Sequence, residues 1–131
     1  MAKMVSSQAY NAPVKDILLA KELAFEIGVQ VGNKGVSNNS EGRKIIPAGT
    51  PIGGLTSALD DRKAILTVTT GGSDGVNAQG VLRYDVDVTA GNANGTMVVC
   101  GVVDTSKCPS TLDTNAKTAL KRIIFVNGGK N

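Results

Sequence analysis

Gly80-Val81-Leu82-Arg83-Tyr84-Asp85-Val86-Asp87-Val88-Thr89 is the stretch that decides the fold class. Leu82, Tyr84, Val86 and Val88 take alternate positions, and Arg83, Asp85 and Asp87 fall between them. Side chains alternate across a strand, so this pattern predicts a strand with one apolar and one charged face. Downstream, Ala90-Gly91-Asn92-Ala93-Asn94-Gly95 reads as a turn. Residues 96–103 follow as a nearly continuous apolar run, which predicts a strand between two packed layers or at an interface. Upstream, Ile65-Leu66-Thr67-Val68-Thr69-Thr70 predicts a strand, and Gly71-Gly72-Ser73-Asp74-Gly75 reads as a hairpin loop after it. Ile46-Pro47-Ala48-Gly49-Thr50-Pro51-Ile52-Gly53-Gly54-Leu55 mixes apolar positions with Pro and Gly. That mixture suits a barrel edge or a bulged strand, because Pro cannot donate to a ladder.

Toward the C-terminus the period changes. Leu112, Ala116, Ala119, Leu120 and Ile123 recur at helical spacing, with Ser110, Thr111 or Asp113 placed to cap the first turn. Lys117, Lys121 and Arg122 gather where the helix dipole favours cations. Ile123-Ile124-Phe125-Val126 then predicts a last short strand. The expected fold class is mainly β with one short C-terminal helix.

Toward the N-terminus the pattern thins, and the chain divides near residue 45. Residues 1–14 are small and polar, which predicts disorder in the isolated protein. Leu23, Phe25, Ile27, Val29 and Val31 alternate with small or polar residues, a strand signal over residues 23–31. Residues 15–22 fit either a short helix or a strand. Gly32-Asn33-Lys34-Gly35 and Ser37-Asn38-Asn39-Ser40-Glu41-Gly42 read as loop or linker. Two readings of the 23–31 strand stand side by side: the first strand of the domain, or a detachable arm that adds a strand to a partner's sheet. On the second, residues 1–45 form an arm and linker, and residues 46–131 form the β-rich domain.

The composition narrows function. The chain has 131 residues, 41% of them hydrophobic, which is enough for one core. Fifteen Val, eleven Thr and sixteen Gly favour strands and turns over long helices. There is no His and no Trp, and there are two Phe and two Tyr. A neutral-pH enzyme thus loses its commonest general base, a zinc site its commonest neutral ligand, and nucleic acid or sugar its stacking platforms. The net charge of +3 is dispersed, with no Lys/Arg stripe for a phosphate backbone. No apolar run is long enough for a signal peptide or a bilayer span, so a soluble protein made inside the cell is expected.

Individual constellations add little chemistry. Asp85 and Asp87 point the same way on a strand, but Arg83 beside them favours a solvated, charge-balanced surface over a cation site. The glycine-rich loops lack the Lys-Ser/Thr ending of a phosphate-binding loop, and Ser73 and Ser110 have no imidazole to activate them. Cys100 and Cys108 are expected as reduced thiols, with a disulfide across the short loop as the alternative. Catalytic, cofactor and metal residues are therefore expected to be absent.

Three stretches resemble the head decoration proteins of tailed bacteriophages, the lambda-type capsid-stabilising family. They are residues 46–53, residues 80–91, and residues 95–104 followed by Leu112, the helix and Ile123-Ile124-Phe125. Together they cover about residues 45–126. The resemblance implies a compact β-barrel or β-tulip-like domain that assembles as a homotrimer on the outside of the virion. It also implies docking onto the major capsid protein at three-fold and quasi-three-fold sites of the expanded head. The N-terminal arm would order there by strand pairing, which makes Leu23, Phe25, Ile27, Val29 and Val31 the expected capsid-binding residues. No nucleic acid, membrane or cofactor is implied, and the protein would be made in the host cytoplasm. The other classes are a tail, fibre or virion-displayed carbohydrate-binding module and, last, a small enzyme.

Overall fold

The computed structural model of the chain describes residues 16–69 and 77–128. Eight strands and one helix make up its regular structure, in the order β1 (Phe25–Val31), β2 (Ile45–Ile46), β3 (Pro51–Gly53), β4 (Ile65–Val68), β5 (Ala78–Leu82), β6 (Val86–Asp87), β7 (Ala93–Asp104), α1 (Thr114–Ala119) and β8 (Ile123–Val126). Five strands close on themselves in the ring β1-β4-β3-β5-β7, since β7 pairs with β1 as well as with β5. The protein is mainly β, a closed five-stranded barrel with one short helix. Closure removes the unpaired edges that an open sheet would present.

Two apolar clusters divide the core. Inside the barrel, Val29 and Val31 of β1 meet Ile52, Leu66, Leu82, Met97 and Val99. On its outer wall, Val81 and Val98 pack with Ile17, Leu18, Val103 and Ile123, and with Leu112, Ala116 and Leu120 from the helical segment. Residues 97–99 of β7 are apolar on both faces because both are covered there: Met97 and Val99 look inward and Val98 outward, while further on Val103 is covered by the helical segment. Where β5 crosses β7, a side chain at Gly80 would lie 2.5 Å from the Met97 Cγ and the Val98 carbonyl oxygen. Only glycine permits that approach.

The helical period locates α1, and the Asp113 carboxylate accepts a hydrogen bond from the Ala116 amide at 3.0 Å as its N-cap. The helix is shorter than the period, so Lys117 lies in its last turn while Lys121 and Arg122 fall beyond its end. The final strand also lies where expected, pairing parallel with β7 at Gly101↔Ile123 and Val102↔Ile124.

Several expectations are corrected. The stretch 80–89 is two strands with a bend at Arg83 and Tyr84, and its second part pairs with β2 rather than continuing the barrel. Leu82, Val86 and Val88 stay buried, whereas the bend turns Tyr84 outward. The segment 46–55 supplies β3, which lies between β4 and β5 and not at an edge. Pro51 is tolerated there as the first residue of its strand, with its carbonyl accepting from the Thr69 amide at 3.1 Å. The bulge is present, as a register shift between Ile52 and Gly53. Because β3 separates β4 from β5, those two strands are not a hairpin; the connecting stretch 70–76 lies outside the described residues.

The division near residue 45 does not mark the limit of the folded body. Strand β1 pairs with β7 over seven residues, from Phe25↔Cys100 to Val31↔Ala93, and joins β4 in parallel at Gln30↔Ile65 and Val31↔Leu66. It is the strand that closes the ring. Before it, residues 16–22 are neither simple helix nor strand: Leu18 bridges to Val103, and a 3-10 turn spans Lys21–Leu23. The expected disorder of residues 1–14 lies outside the described residues.

An apolar sheet face beyond the barrel as candidate functional site

Strand β7 is twelve residues long, more than twice the length of β3, β4 or β8, and its far half extends past the barrel. There it gains new neighbours. On one edge the strap of residues 17–19 runs antiparallel to it, with the Leu19 amide donating to the Val102 carbonyl at 3.1 Å and the Asp104 amide to Ile17 at 2.8 Å. On the other edge lies β8. These three segments form a small sheet whose one face is covered by the helical segment through Leu18, Val103 and Ile123.

The opposite face carries apolar side chains without a covering layer among the described residues. Leu19 lies beside Val102, and Val102 beside Ile124, side by side across the three segments. Phe25 is the cross-strand partner of Cys100, and Val126 follows Ile124 on the same side of β8. Phe25 is 57% exposed, Ile124 63%, Leu19 48% and Val126 40%. The apolar row of β1 explains the position of this face. Val31 and Val29 are buried in the barrel, Ile27 is half-buried and Phe25 is exposed, so the barrel's inner surface runs out into solvent along β1 and β7. Contiguous exposed apolar surface of this kind marks interaction sites more often than isolated exposed residues do.

The five expected capsid-binding residues therefore separate into two groups. Val29 and Val31 are core of the chain's own barrel and Ile27 is half-buried, because β1 already has strand partners on both edges. Phe25 is exposed as the first residue of that strand, and Leu23 is exposed in the 3-10 turn before it, so the strand starts at Phe25 and not at residue 23. Alternation in sequence revealed the row but not how far along it burial extends. Leu19 and Ile124 were not singled out as site residues, since each belongs to a run that reads equally well as core.

Behind the face lies a polar knot. The Arg83 side chain is 10% exposed and pairs with the carboxylates of Glu26 on β1 and Asp16 at the start of the strap, the latter at 3.4 Å. Its guanidinium also sits 5.1 Å from the Tyr84 ring centroid. Arg83 is thus buried and paired, not part of a solvated strand surface, and its neighbours go elsewhere. Asp85 accepts from the Ala48 amide at 2.7 Å, while Asp87 pairs with Arg43 at 2.6 Å. The Lys21 ammonium hydrogen-bonded to Asp16, followed by the Leu18 amide and the charge of Arg83, holds the Asp16 carboxyl below its usual value despite partial burial. The Ser106 hydroxyl does the same for Asp104, which also accepts from the Ser106 and Gly128 amides.

Other surfaces offer less. A groove of about 230 Å³ is lined by Val36, Ile45, Ile46, Pro47, Val68 and Thr111 among others. Cys100 and Cys108 are thiols and are not joined to each other. Among the described residues no group of three or more Cys, Asp and Glu side chains is gathered to hold a metal ion, and no helix is long and apolar enough to cross a membrane. No protein-family model matches the chain, and no curated protein matches it.

Proposed function

We propose that the protein is a viral structural protein that binds the outside of a phage head as a trimer and stabilises the expanded shell. Two lines support this reading: the resemblance of residues 45–126 to head decoration proteins, and the apolar face beyond the barrel that no other described residue covers. The face is the observation that carries it. Leu19, Phe25, Val102 and Ile124 sit on a rigid, hydrogen-bonded sheet, so docking them against the major capsid protein costs little ordering entropy. Three copies held together would multiply a modest contact through effective concentration.

In this reading β1 stays in the barrel, and only Phe25 at its exposed start and Leu23 in the turn before it meet the partner. Peeling β1 away would uncover Val29 and Val31 and open the ring, at about 1.5–3 kcal/mol for each side chain re-exposed. The test is co-sedimentation with expanded phage heads that lack their decoration protein. The wild-type chain is expected to pellet at a fixed ratio to the major capsid protein, and Phe25→Asp to stay in the supernatant while folded. Failure of the wild type to pellet, or full binding by Phe25→Asp, would show the reading to be wrong.

A further inference from the structure

We infer that β8 is a self-association strand, which pairs antiparallel with β8 of a second copy of this chain across a two-fold axis. Within the small sheet the two outer edges differ. The strap edge is blunted, because the Leu18 amide is already taken by the Asp16 carboxylate at 3.1 Å and that carboxylate is tied to Lys21 at 2.8 Å and to Arg83. The β8 edge has no strand partner on its outer side among the described residues; its Ile123 amide is held by the Leu120 carbonyl at 3.2 Å at the start of the strand, which leaves the edge at Phe125 and beyond for pairing. It also lacks the protections found on edges that remain solitary: Ile123-Ile124-Phe125-Val126 contains no charge, no Pro and no Gly. With one edge blocked, a head-to-tail contact through both edges is unavailable, and the remaining self-complementary solution is β8 on β8.

Charge and register choose the orientation. Lys121 and Arg122 stand immediately before β8, while Asn127 and Gly128 follow it. Parallel pairing would lay two basic pairs side by side; antiparallel pairing centred on Phe125 sets Arg122 opposite Gly128 and Lys121 opposite Gly129 of the other strand. A register centred on Phe125 keeps equivalent faces together. Phe125 then meets Phe125 of the second copy, and Ile124 on the exposed face meets the second copy's Val126, twice by symmetry. The apolar faces of the two small sheets become one continuous surface.

This contact is separate from the trimer of the proposed function and rests on the edge alone. Adjacent three-fold positions on a closed icosahedral shell are related by two-fold or local two-fold axes, so the same contact would link neighbouring trimers on a head.

Sedimentation equilibrium of the wild-type chain and Ile124→Lys, over a concentration series and without heads, tests the inference. Ile124 is exposed, so the substitution leaves the fold in place, which circular dichroism checks. The lysine is expected to break the wild-type assembly down, from dimer to monomer or, where trimers form, from linked trimers to single trimers. Hydrogen exchange of the wild type is expected to show amides of residues 123–127 gaining protection as concentration rises. A wild-type monomer at every concentration, or a mass that Ile124→Lys leaves unchanged, would overturn the inference. A wild-type trimer unaffected by the lysine would do so while leaving the trimer of the proposed function intact, and a dimer would do the reverse.

Discussion

Arg83 and Gly80 show how single positions hold the barrel to what lies beyond it. Arg83 joins the strap and β1 to the bend after β5, through Asp16 and Glu26. Removing the guanidinium leaves the Glu26 carboxylate without its cation and Asp16 with Lys21 alone. Both retain some solvent, so Arg83→Ala is expected to cost about 2 kcal/mol, less than breaking a fully buried pair, as measured by urea unfolding. Glu26→Gln is expected to cost less, because Asp16 still balances the charge. Gly80→Ala pushes a methyl group into the Met97 side chain and the Val98 carbonyl, and should cost about 1–3 kcal/mol in the same assay. Neither role was legible beforehand. Alternation from Val81 to Val88 assigns Arg83 to a wet face, and only the bend at Arg83 and Tyr84, which breaks the alternation, turns it inward. The need for glycine at position 80 comes from a strand crossing that no local pattern encodes.

At the level of elements, the period-two pattern of residues 23–31 identified a strand but not its partner. The polar stretch 32–42 suggests separation from the domain, yet a loop of that length also lets β1 lie across from β7, some seventy residues later in the chain. Pairing depends on register and on what covers each face, and a free arm and a barrel strand look alike in sequence. The two roles differ sharply in energetics. Val29→Ala, inside the barrel, is expected to lower stability by about 1–2 kcal/mol, whereas Phe25→Asp at the exposed end should change it by less than about 0.5 kcal/mol in thermal melts. A large drop for Phe25→Asp would place that ring in the core instead. Strand β7 was the more legible element. Its two-sided apolarity predicts two packed layers or an interface: the barrel interior and the helical segment cover Met97 to Val99 and Val103, while the side of Val102 has no covering layer among the described residues.

For the whole molecule, the absence of His and the lowered aspartates set the response to pH. Asp16, Asp87 and Asp104 all titrate below their ordinary value of 3.8 in the folded chain. Their contribution is fully present above that value and is lost as pH falls through the lowered folded values. Stability is therefore expected to be flat between about pH 5 and 8 and to fall below about pH 4, as followed by melting temperature across that range. Deleting residues 1–31 removes the strand that closes the ring, and the truncated chain is expected to lose cooperative unfolding in calorimetry. The fold class was legible because strand periods and turn residues repeat throughout residues 45–126. The candidate site was legible only in part, because it arises where β7 outlasts its barrel neighbours, and that depends on lengths set by tertiary pairing. The account centres on the face left uncovered there. A cryo-EM reconstruction of expanded heads saturated with the protein tests it most directly. The account predicts Leu19, Phe25, Val102 and Ile124 against the major capsid protein, with β1 still closing the barrel. A reconstruction in which that face points to solvent, or in which β1 has left the barrel to pair with the shell, would contradict it.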